Sequence, residues 1–394
     1  MSTDFAPQSD KPVPVLILTG TNRNGANGRV TIYWLRQLPR QGFKPHVAFP
    51  GGGELGKIFD HGGVPWTPVD LSWPKRFWPV GFLWRAWGLA RYVRRHGIRL
   101  IHCNDCNDYP LGRVAGRLAG VPVVCHVCLP REVNYCQWMF GKGRAPELLL
   151  CVSETSADLQ RPVVAPWIPP QRVLAVPNGV DTDEFRPHDD GARGRFRRQW
   201  QIPGDAFCIG LAATVKRYKQ NDQLVGLIRR LVDGGVNAWG VLAGGIAEAD
   251  YAAEIRRQVD EANLAGRIVE AGFVSDMPAA YAAFDLTVSF SPGETFGMSA
   301  AESLACGVPI VYYQIDVFAE VIGDAGIGVP MDDQAGAAAA CLRLAGDRAE
   351  LARLSQRGRE RIVQRFSAES SSCRLAECYR MALGGREKAT SVST

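Results

Sequence analysis

Twice along its length the chain passes through the same rhythm of short apolar runs separated by helical or irregular segments, and that alternation leaves few folds open. The first series begins near Val13 with PVLILTG, followed by the polar glycine loop TNRNGANG and a helix expected over residues 30–41. It continues through KPHVAFP, RLIHCN, PVVCHVC, ELLLCVS and RVLAVPNG. The second series runs FCIGLAA, AWGVLAGG, RIVEAGF, LTVSFS and PIVYY, with helices expected over residues 221–233 and 252–262. Strands alternating with helices build parallel sheets. The expected fold class is α/β: two successive Rossmann-like, doubly wound parallel-sheet domains, whose ligands bind at the carboxyl ends of the strands.

At 394 residues the chain is long enough for two domains. Pro187, Asp189, Asp190, Gly191 and Gly194 cluster between the two series and mark the expected hinge. The expected division is 1–12 as a disordered N-terminus, 13–187 and 188–365 as the two domains, 366–383 as a C-terminal helix that can pack back on the first domain, and 384–394 as a disordered tail. A hydrophobic content of 46% fits a globular protein with a large core, and a net charge of +5 is too mild to call for nucleic acid. The polar opening MSTDFAPQSDKP lacks an apolar signal core, and no later run reaches the roughly 18 apolar residues of a membrane span. A cytoplasmic location is expected.

The eleven cysteines are an odd number, several in apolar surroundings, which points to free thiols in a reducing compartment. Cys103-x-x-Cys106 followed by Cys125-x-x-Cys128 has the spacing of a four-thiolate zinc site. Both pairs, however, fall at the ends of expected strands, where residues three apart point to opposite faces, and neither encloses a glycine knuckle. No metal is expected, and the thiols are read as core and cleft residues.

Residues 291–307, SPGETFGMSAAESLACG, carry the most specific signal. Glu294 stands in a loop with Gly293 and Gly297, Glu302 lies on the helix that follows, and seven residues separate the two acids. The helix is expected from Phe296 to Cys306 and is stopped by Gly307 and Pro309. Its free N–H groups and roughly half a positive charge at Phe296, Gly297 and Met298 suit a diphosphate. Glu302 can accept the two hydroxyls of a ribose, and Glu294 a hydroxyl of a sugar ring. Paired carboxylates also suggest glycoside hydrolysis, but those flank one bond and normally come from separate elements, whereas here one element supplies both. The alternative is a surface loop feeding a helix that happens to carry two glutamates.

ELLLCVSETSADL, VLAVPNGVDTDEFRP, VLAGG and IVEAGFVSDMPAAYAAFDLTVSFSPGETFGMSAAESLACGVPIV, in this order, resemble the family 4 glycosyltransferases of the GT-B fold. GANGRVTIYWLRQLPRQGFKPHVAFP and IRLIHCNDCNDYPLGRVAGRLAGVPVV extend the resemblance over residues 13–383. It implies two domains facing a central cleft and transfer of a sugar from a nucleotide-sugar donor to an acceptor hydroxyl, with retention and without an essential metal or other cofactor. The donor is then held mainly by the second domain, with Glu294 on the sugar, Glu302 on the ribose and the backbone at Phe273 and Val274 near the base. Asp285 and Ser291 match signature positions and are read as structural. In the first loop the backbone at Gly25, Ala26, Asn27 and Gly28 would approach the donor phosphates or the acceptor, with Arg23 and Arg29 flanking it.

The resemblance has two departures. The family uses an arginine and a lysine five residues apart on the leaving diphosphate, and LAATVKRYKQNDQL supplies Lys219 but puts Thr214 in the arginine slot. Lys216 and Arg217 are candidates for the missing charge, or else form a solvated basic turn. A histidine near the end of the fifth strand faces the sugar in many members; here Cys128 occupies the slot, and His126, two residues earlier, either serves in its place or is a core residue.

Residues 73–99, from Trp73 to Arg99, hold Trp78, Trp84, Trp87, Phe77, Phe82 and seven basic residues with no acid. Basic segments rich in tryptophan suit an anionic membrane surface and hence a glycan or lipid-linked acceptor, as in cell-surface polysaccharide or glycolipid synthesis. The alternative is a helix packed on the core with its basic face in water. Two rival functions stay open: a non-catalytic nucleotide-sugar-binding protein and a nucleotide-sugar epimerase. A nicotinamide dehydrogenase fits least, because no GxGxxG follows the first strand.

Overall fold

A computed structural model describes residues 11–22, 25–73 and 80–391, without the side chains of 26, 27 and 385–391. Residues 1–10 of the expected disordered N-terminus, Arg23, Phe77, Trp78 and residues 392–394 lie outside the described residues. The chain divides into two compact units, Met1–Gly179 with Ala368–Thr394, and Val180–Ser367.

Unit 1 is built on strands β1 (Val13–Leu18), β2 (Phe43–Phe49), β3 (Trp66–Pro68), β4 (Leu100–Cys103), β5 (Val123–Val127), β6 (Leu148–Cys151) and β7 (Val173–Ala175). They form one parallel sheet in the order β3-β2-β1-β4-β5-β6-β7. Leu16 pairs with His46 on one side and Ile101 on the other, and β4, β5 and β6 are buried along their whole length, as an interior parallel sheet requires. Helices α1 (Ala26–Gln37), α2 (Gly53–His61), α3 (Val80–Arg95), α4 (Tyr109–Ala119), α5 (Val133–Phe140) and α6 (Glu154–Val164) connect the strands. The expected helix over 30–41 is displaced by four residues toward the N-terminus at the same length: α1 gives way to a 3-10 turn at Leu38–Gln41, where Pro39 has no N–H to donate.

Unit 2 holds α7 (Asp190–Gln199), β8 (Phe207–Leu211), α8 (Gln223–Asp233), β9 (Ala238–Ala243), α9 (Ala249–Glu261), β10 (Ile268–Gly272), α10 (Met277–Ala280), β11 (Leu286–Ser289), α11 (Met298–Ala305), β12 (Ile310–Tyr313), α12 (Asp316–Val321), β13 (Ile327–Val329), α13 (Gln334–Gly346) and α14 (Arg348–Arg365). Its sheet is also wholly parallel, ordered β10-β9-β8-β11-β12-β13. The last helix, α15 (Ala368–Ser391), belongs to unit 1.

Three expectations about organisation need correction. Asp189 and its neighbours are not a hinge: the Asp189 carboxylate accepts from the Ala192 N–H and caps α7 inside unit 2. The units divide at Gly179/Val180 and again at Ser367/Ala368, rather than at 187/188 and 365/366. Residues 384–391 of the expected disordered tail continue α15, since extending an existing helix needs no new nucleus.

Helix α15 is joined to unit 1 by a buried polar network. Trp34 Nε1 donates to Ser371 Oγ at 3.0 Å, Ser371 Oγ donates to the Pro177 carbonyl at 2.6 Å, and Tyr379 Oη lies 2.7 Å from His102 Nδ1. The His126 ring stacks on Trp34 with centroids 5.3 Å apart. Nearby, the sulfurs of Cys106 and Cys125 approach to 3.9 Å, and burial pushes the Cys103 and Cys125 thiols well up. Among the described residues no group of three His, Cys, Asp or Glu side chains could hold a metal ion.

Asp108, beside Gly20 at the carboxyl edge of this sheet, is buried with no hydrogen-bond partner for Oδ2, and burial followed by the charge of Asp105 raises its pKa to about 8. A carboxyl group raised above its unfolded value contributes full stability at low pH and loses it as the pH climbs from about 4 toward 8. His102 and His126 are lowered by burial, so their stability is lost only as the pH falls below about 6.5. Between pH 6.5 and 8 the acid therefore dominates. Unfolding stability should fall there by about 1.4 kcal/mol per pH unit, and Asp108→Asn should flatten the slope. Urea titrations across that interval check it; parallel slopes in both proteins would refute the assignment.

Candidate active site

In unit 2 the chain leaves β8 toward β9 on one side and returns through β11 on the other, so the topological switch point lies between β8 and β11. Ligands of open α/β sheets bind outside the carboxyl ends at such a point. The loops after these two strands carry Lys219 and Glu294. Their side chains form an ion pair, 18% and 20% exposed respectively, linking loops 75 residues apart in sequence. Tyr218 adds a second tie by donating to the Gly293 carbonyl at 2.8 Å.

Lys219 sits in the 3-10 turn Arg217–Lys219, and buried Asn221 secures that loop by accepting from the Lys216 N–H at 3.2 Å. Lys216 Nζ lies 5.6 Å from the centroid of the Tyr218 ring, and Lys219 Nζ lies 5.9 Å from it. Both ammonium groups thus lie within cation–π range of the Tyr218 ring. Arg217, by contrast, does not join this cluster. Its guanidinium makes a bidentate pair with Glu254 at 2.8 Å on α9 and stacks on Tyr251, so its charge is directed elsewhere. Thr214 remains exposed in the arginine slot.

Beyond Glu294 the chain turns through Gly297, whose φ of 87° lies in the left-handed region. A Cβ there would come within 2.5 Å of the Phe318 ring, so glycine serves both the turn and the packing. Gly297 is the N-cap of α11, and no side chain caps the helix, which leaves the N–H groups of its first turn facing the loop. The helix begins at Met298, two residues later than expected, and Met298 is half-buried. The Phe296 ring is buried against Phe366 and anchors the loop in the core, which leaves its backbone, the part expected to serve a ligand, on the loop before α11. Glu302, on the next turn of α11, is 3% exposed. Val274 is half-buried just after Gly272, and its neighbour Phe273 is 84% exposed at the end of β10. Asp285 is structural: it accepts from Arg193, Arg197 and the Cys208 N–H and ties α7 to the sheet.

The unit 1 candidates fare differently. Gly25 is the exposed N-cap of α1, where an added Cβ would meet nothing in the protein within 4 Å. The fold itself does not require glycine there. Ala26 is the first residue of α1, and its side chain lies outside the described set. His126 must be withdrawn from the catalytic group: it is fully buried, stacked on Trp34, with Nδ1 3.4 Å from His102 Nε2, and burial lowers its pKa to about 3. Cys128, at the end of β5, is partly exposed and donates to the Asn104 carbonyl at 3.4 Å.

Sequence reasoning missed Tyr218 and Asn221, although both lie inside the quoted VKRYKQN loop. It also passed over the run Gly51, Gly52, Gly53 after β2, all at positive φ. A Cβ on Gly53 would meet the Asn22 carbonyl oxygen at 2.4 Å, so that run packs closely on the first loop.

Comparison with known proteins covers both halves of the chain. The family model for glycosyl transferases group 1 matches residues 192–361, and that for glycosyltransferase family 4 matches residues 27–184. The lipopolysaccharide core biosynthesis mannosyltransferase LpsB of Rhizobium meliloti is 29% identical over 52% of this chain and 61% of its own length. A GDP-mannose-dependent α-(1-6)-phosphatidylinositol dimannoside mannosyltransferase of Mycobacterium tuberculosis is 31% identical over 59% of this chain, which spans 56% of that relative. Among solved structures, Anabaena HepE in complex with UDP and glucose superposes with a TM-score of 0.78 at 18% identity, over 93% of this chain and 99% of that one. A glycosyltransferase from Rickettsia africae gives a TM-score of 0.83 at 17% identity, over 95% and 99%. With one model matching most of unit 1, the other most of unit 2, and GT-B neighbours along nearly its full length, the chain belongs to the family 4 glycosyltransferases.

Proposed function

We propose that the chain transfers a sugar from a nucleotide-diphosphate sugar to a hydroxyl acceptor with retention of anomeric configuration, in the synthesis of a cell-surface glycolipid or polysaccharide. The observation that carries this reading is the pairing of Lys219 and Glu294 across the β8/β11 switch point, beside the uncapped N-terminus of α11. The first-turn amides and Lys219 suit a diphosphate, Glu302 the ribose diol, and Glu294 a hydroxyl of the transferred sugar. When a donor enters, Lys219 exchanges its carboxylate partner for phosphate oxygens, and Glu294 is released toward the sugar. Charge grows on the diphosphate as the glycosidic bond breaks, and a cation already in place stabilises it without reorganisation. The solved complexes of HepE with UDP and with UDP-glucose, and the lipopolysaccharide core biosynthesis named for LpsB, support donor class and setting by analogy.

Thermal-shift measurements across UDP-, GDP- and ADP-sugars test the donor. One series should raise the melting temperature, since a ligand bound at a hundred times its Kd adds about 2.7 kcal/mol to stability. Glu302→Gln should remove most of that shift. No stabilisation by any nucleotide sugar would reject the reading. A second reading, a nucleotide-sugar-binding protein without transfer activity, draws on Thr214 together with the diversion of Arg217 to Glu254. Donor binding with neither hydrolysis nor transfer against a broad acceptor panel would favour it, whereas a changed sugar formed from donor alone would indicate an epimerase.

A further inference from the structure

Helix α3 presents two opposed faces. Phe82, Ala86, Leu89, Ala90 and Val93 are buried in the unit 1 core, at the spacing of one helical stripe. The opposite stripe, Val80, Trp84, Trp87, Arg91 and Arg95, is exposed along about 22 Å of helix. Its first half is apolar: Val80 and Trp87 are each 44% exposed, Leu83 52% and Trp84 64%, and together they line a shallow hollow of about 340 Å³. Its second half is cationic, with Arg91, Arg94 and Arg95 exposed, and the Arg91 guanidinium sits 4.9 Å from the Trp87 ring centroid. The helix has no acidic residue.

An isolated exposed tryptophan needs no explanation, but two beside a leucine and a valine on one helix face form a patch of the sort that marks an interaction site. Charge complementarity selects the occupant. A neutral apolar partner would leave the adjoining arginines without counter-charge, whereas an anionic bilayer meets the whole stripe, indoles at the headgroup level and guanidiniums against phosphates. Among the described residues no helix is long and apolar enough to cross a membrane, so the contact is with the surface. We propose that the α3 stripe docks unit 1 on an anionic lipid surface, with Leu83, Trp84 and Trp87 in the interface and Arg91 and Arg95 on the headgroup phosphates. The inference rests on α3 alone and stands apart from the donor chemistry in unit 2.

Co-sedimentation of the full chain with vesicles of phosphatidylcholine alone, and with 30% phosphatidylglycerol, tests it. Binding to the anionic vesicles should be at least ten-fold tighter and should weaken as salt is raised. Trp84→Ser with Trp87→Ser should cost a further ten-fold or more, and Arg91→Gln with Arg95→Gln about twenty-five-fold, at roughly five-fold per charge. These side chains are exposed, so unchanged melting temperatures will separate lost docking from lost folding; if the tryptophan variant melts early, the arginine variant carries the test. Equal sedimentation with neutral and anionic vesicles, or variants that bind like the parent, would overturn the proposal. So would a dimer in light scattering that the tryptophan variant abolishes, because the face would then belong to a second copy of the chain.

Discussion

Lys219→Ala is expected to lower kcat by about 10²- to 10³-fold while changing the KM for the donor only a few-fold. The factor corresponds to about 3 to 4 kcal/mol, the usual loss when one preorganised donor to a developing anion is removed. In the proposed binding mode the ground state is less affected, because the first-turn amides of α11 also serve the diphosphate and Lys219 gives up its ion pair with Glu294. Gains made only as charge develops appear in kcat rather than KM. Lys216→Ala is the informative companion. Its ammonium also lies beside the Tyr218 ring but does not pair with Glu294, so its loss should be smaller. Steady-state kinetics with the donor found by thermal shift decide the matter, and an unchanged kcat for Lys219→Ala would remove the lysine from the chemistry.

The largest effect on stability is expected at Arg197. Its guanidinium is buried, pairs with Asp285 at 2.8 Å, and donates to the carbonyls of Pro203, Gly204, Ala206 and Ala283. Arg197→Ala leaves the Asp285 charge short of a partner and four carbonyls without this donor. Breaking a buried pair from one side costs about 3 to 5 kcal/mol, which for a unit of this size lowers the melting temperature by on the order of 10 °C. Replacing both partners, Arg197→Met with Asp285→Leu, should recover much of that loss, because no charge is then left buried. Calorimetry on the three proteins checks it. A single variant that melts within about 2 °C of the parent would show that Arg193 alone satisfies Asp285.

The parallel sheets were legible because their interior strands are continuous apolar runs between turn residues, as in LIHC and IVYY. The strands that escaped, β3 and β13, have three residues each, and Thr67 and Gly328 break their apolar runs, whereas the equally short edge strand β7 lies in the unbroken run VLAV. The cluster at the β8/β11 switch point was partly legible: the glycine loop with Glu294 and Glu302 marked one loop, the family resemblance marked Lys219 in the other, and the fold brings Lys219 and Glu294 into contact. Two assignments failed for reasons sequence could not supply. Arg217 and Lys216 are adjacent in a basic loop, and only the positions of Glu254 and Tyr251 on α9 send one away from the other. His126 is covered by Trp34 of α1 and adjoins His102, a packing that strand alternation alone does not reveal.

The return of α15 to unit 1 makes the second unit an insertion within the first. Val180 N–H bonds to the Phe366 carbonyl at 2.8 Å and Val180 bridges Ser367, so the inserted stretch begins and ends at one point and closes on itself. During synthesis the inserted unit is therefore complete while Trp34 and His102 still await Ser371 and Tyr379. The unit begun first is thus completed only after the inserted one, when α15 follows it and seals the first unit's interior.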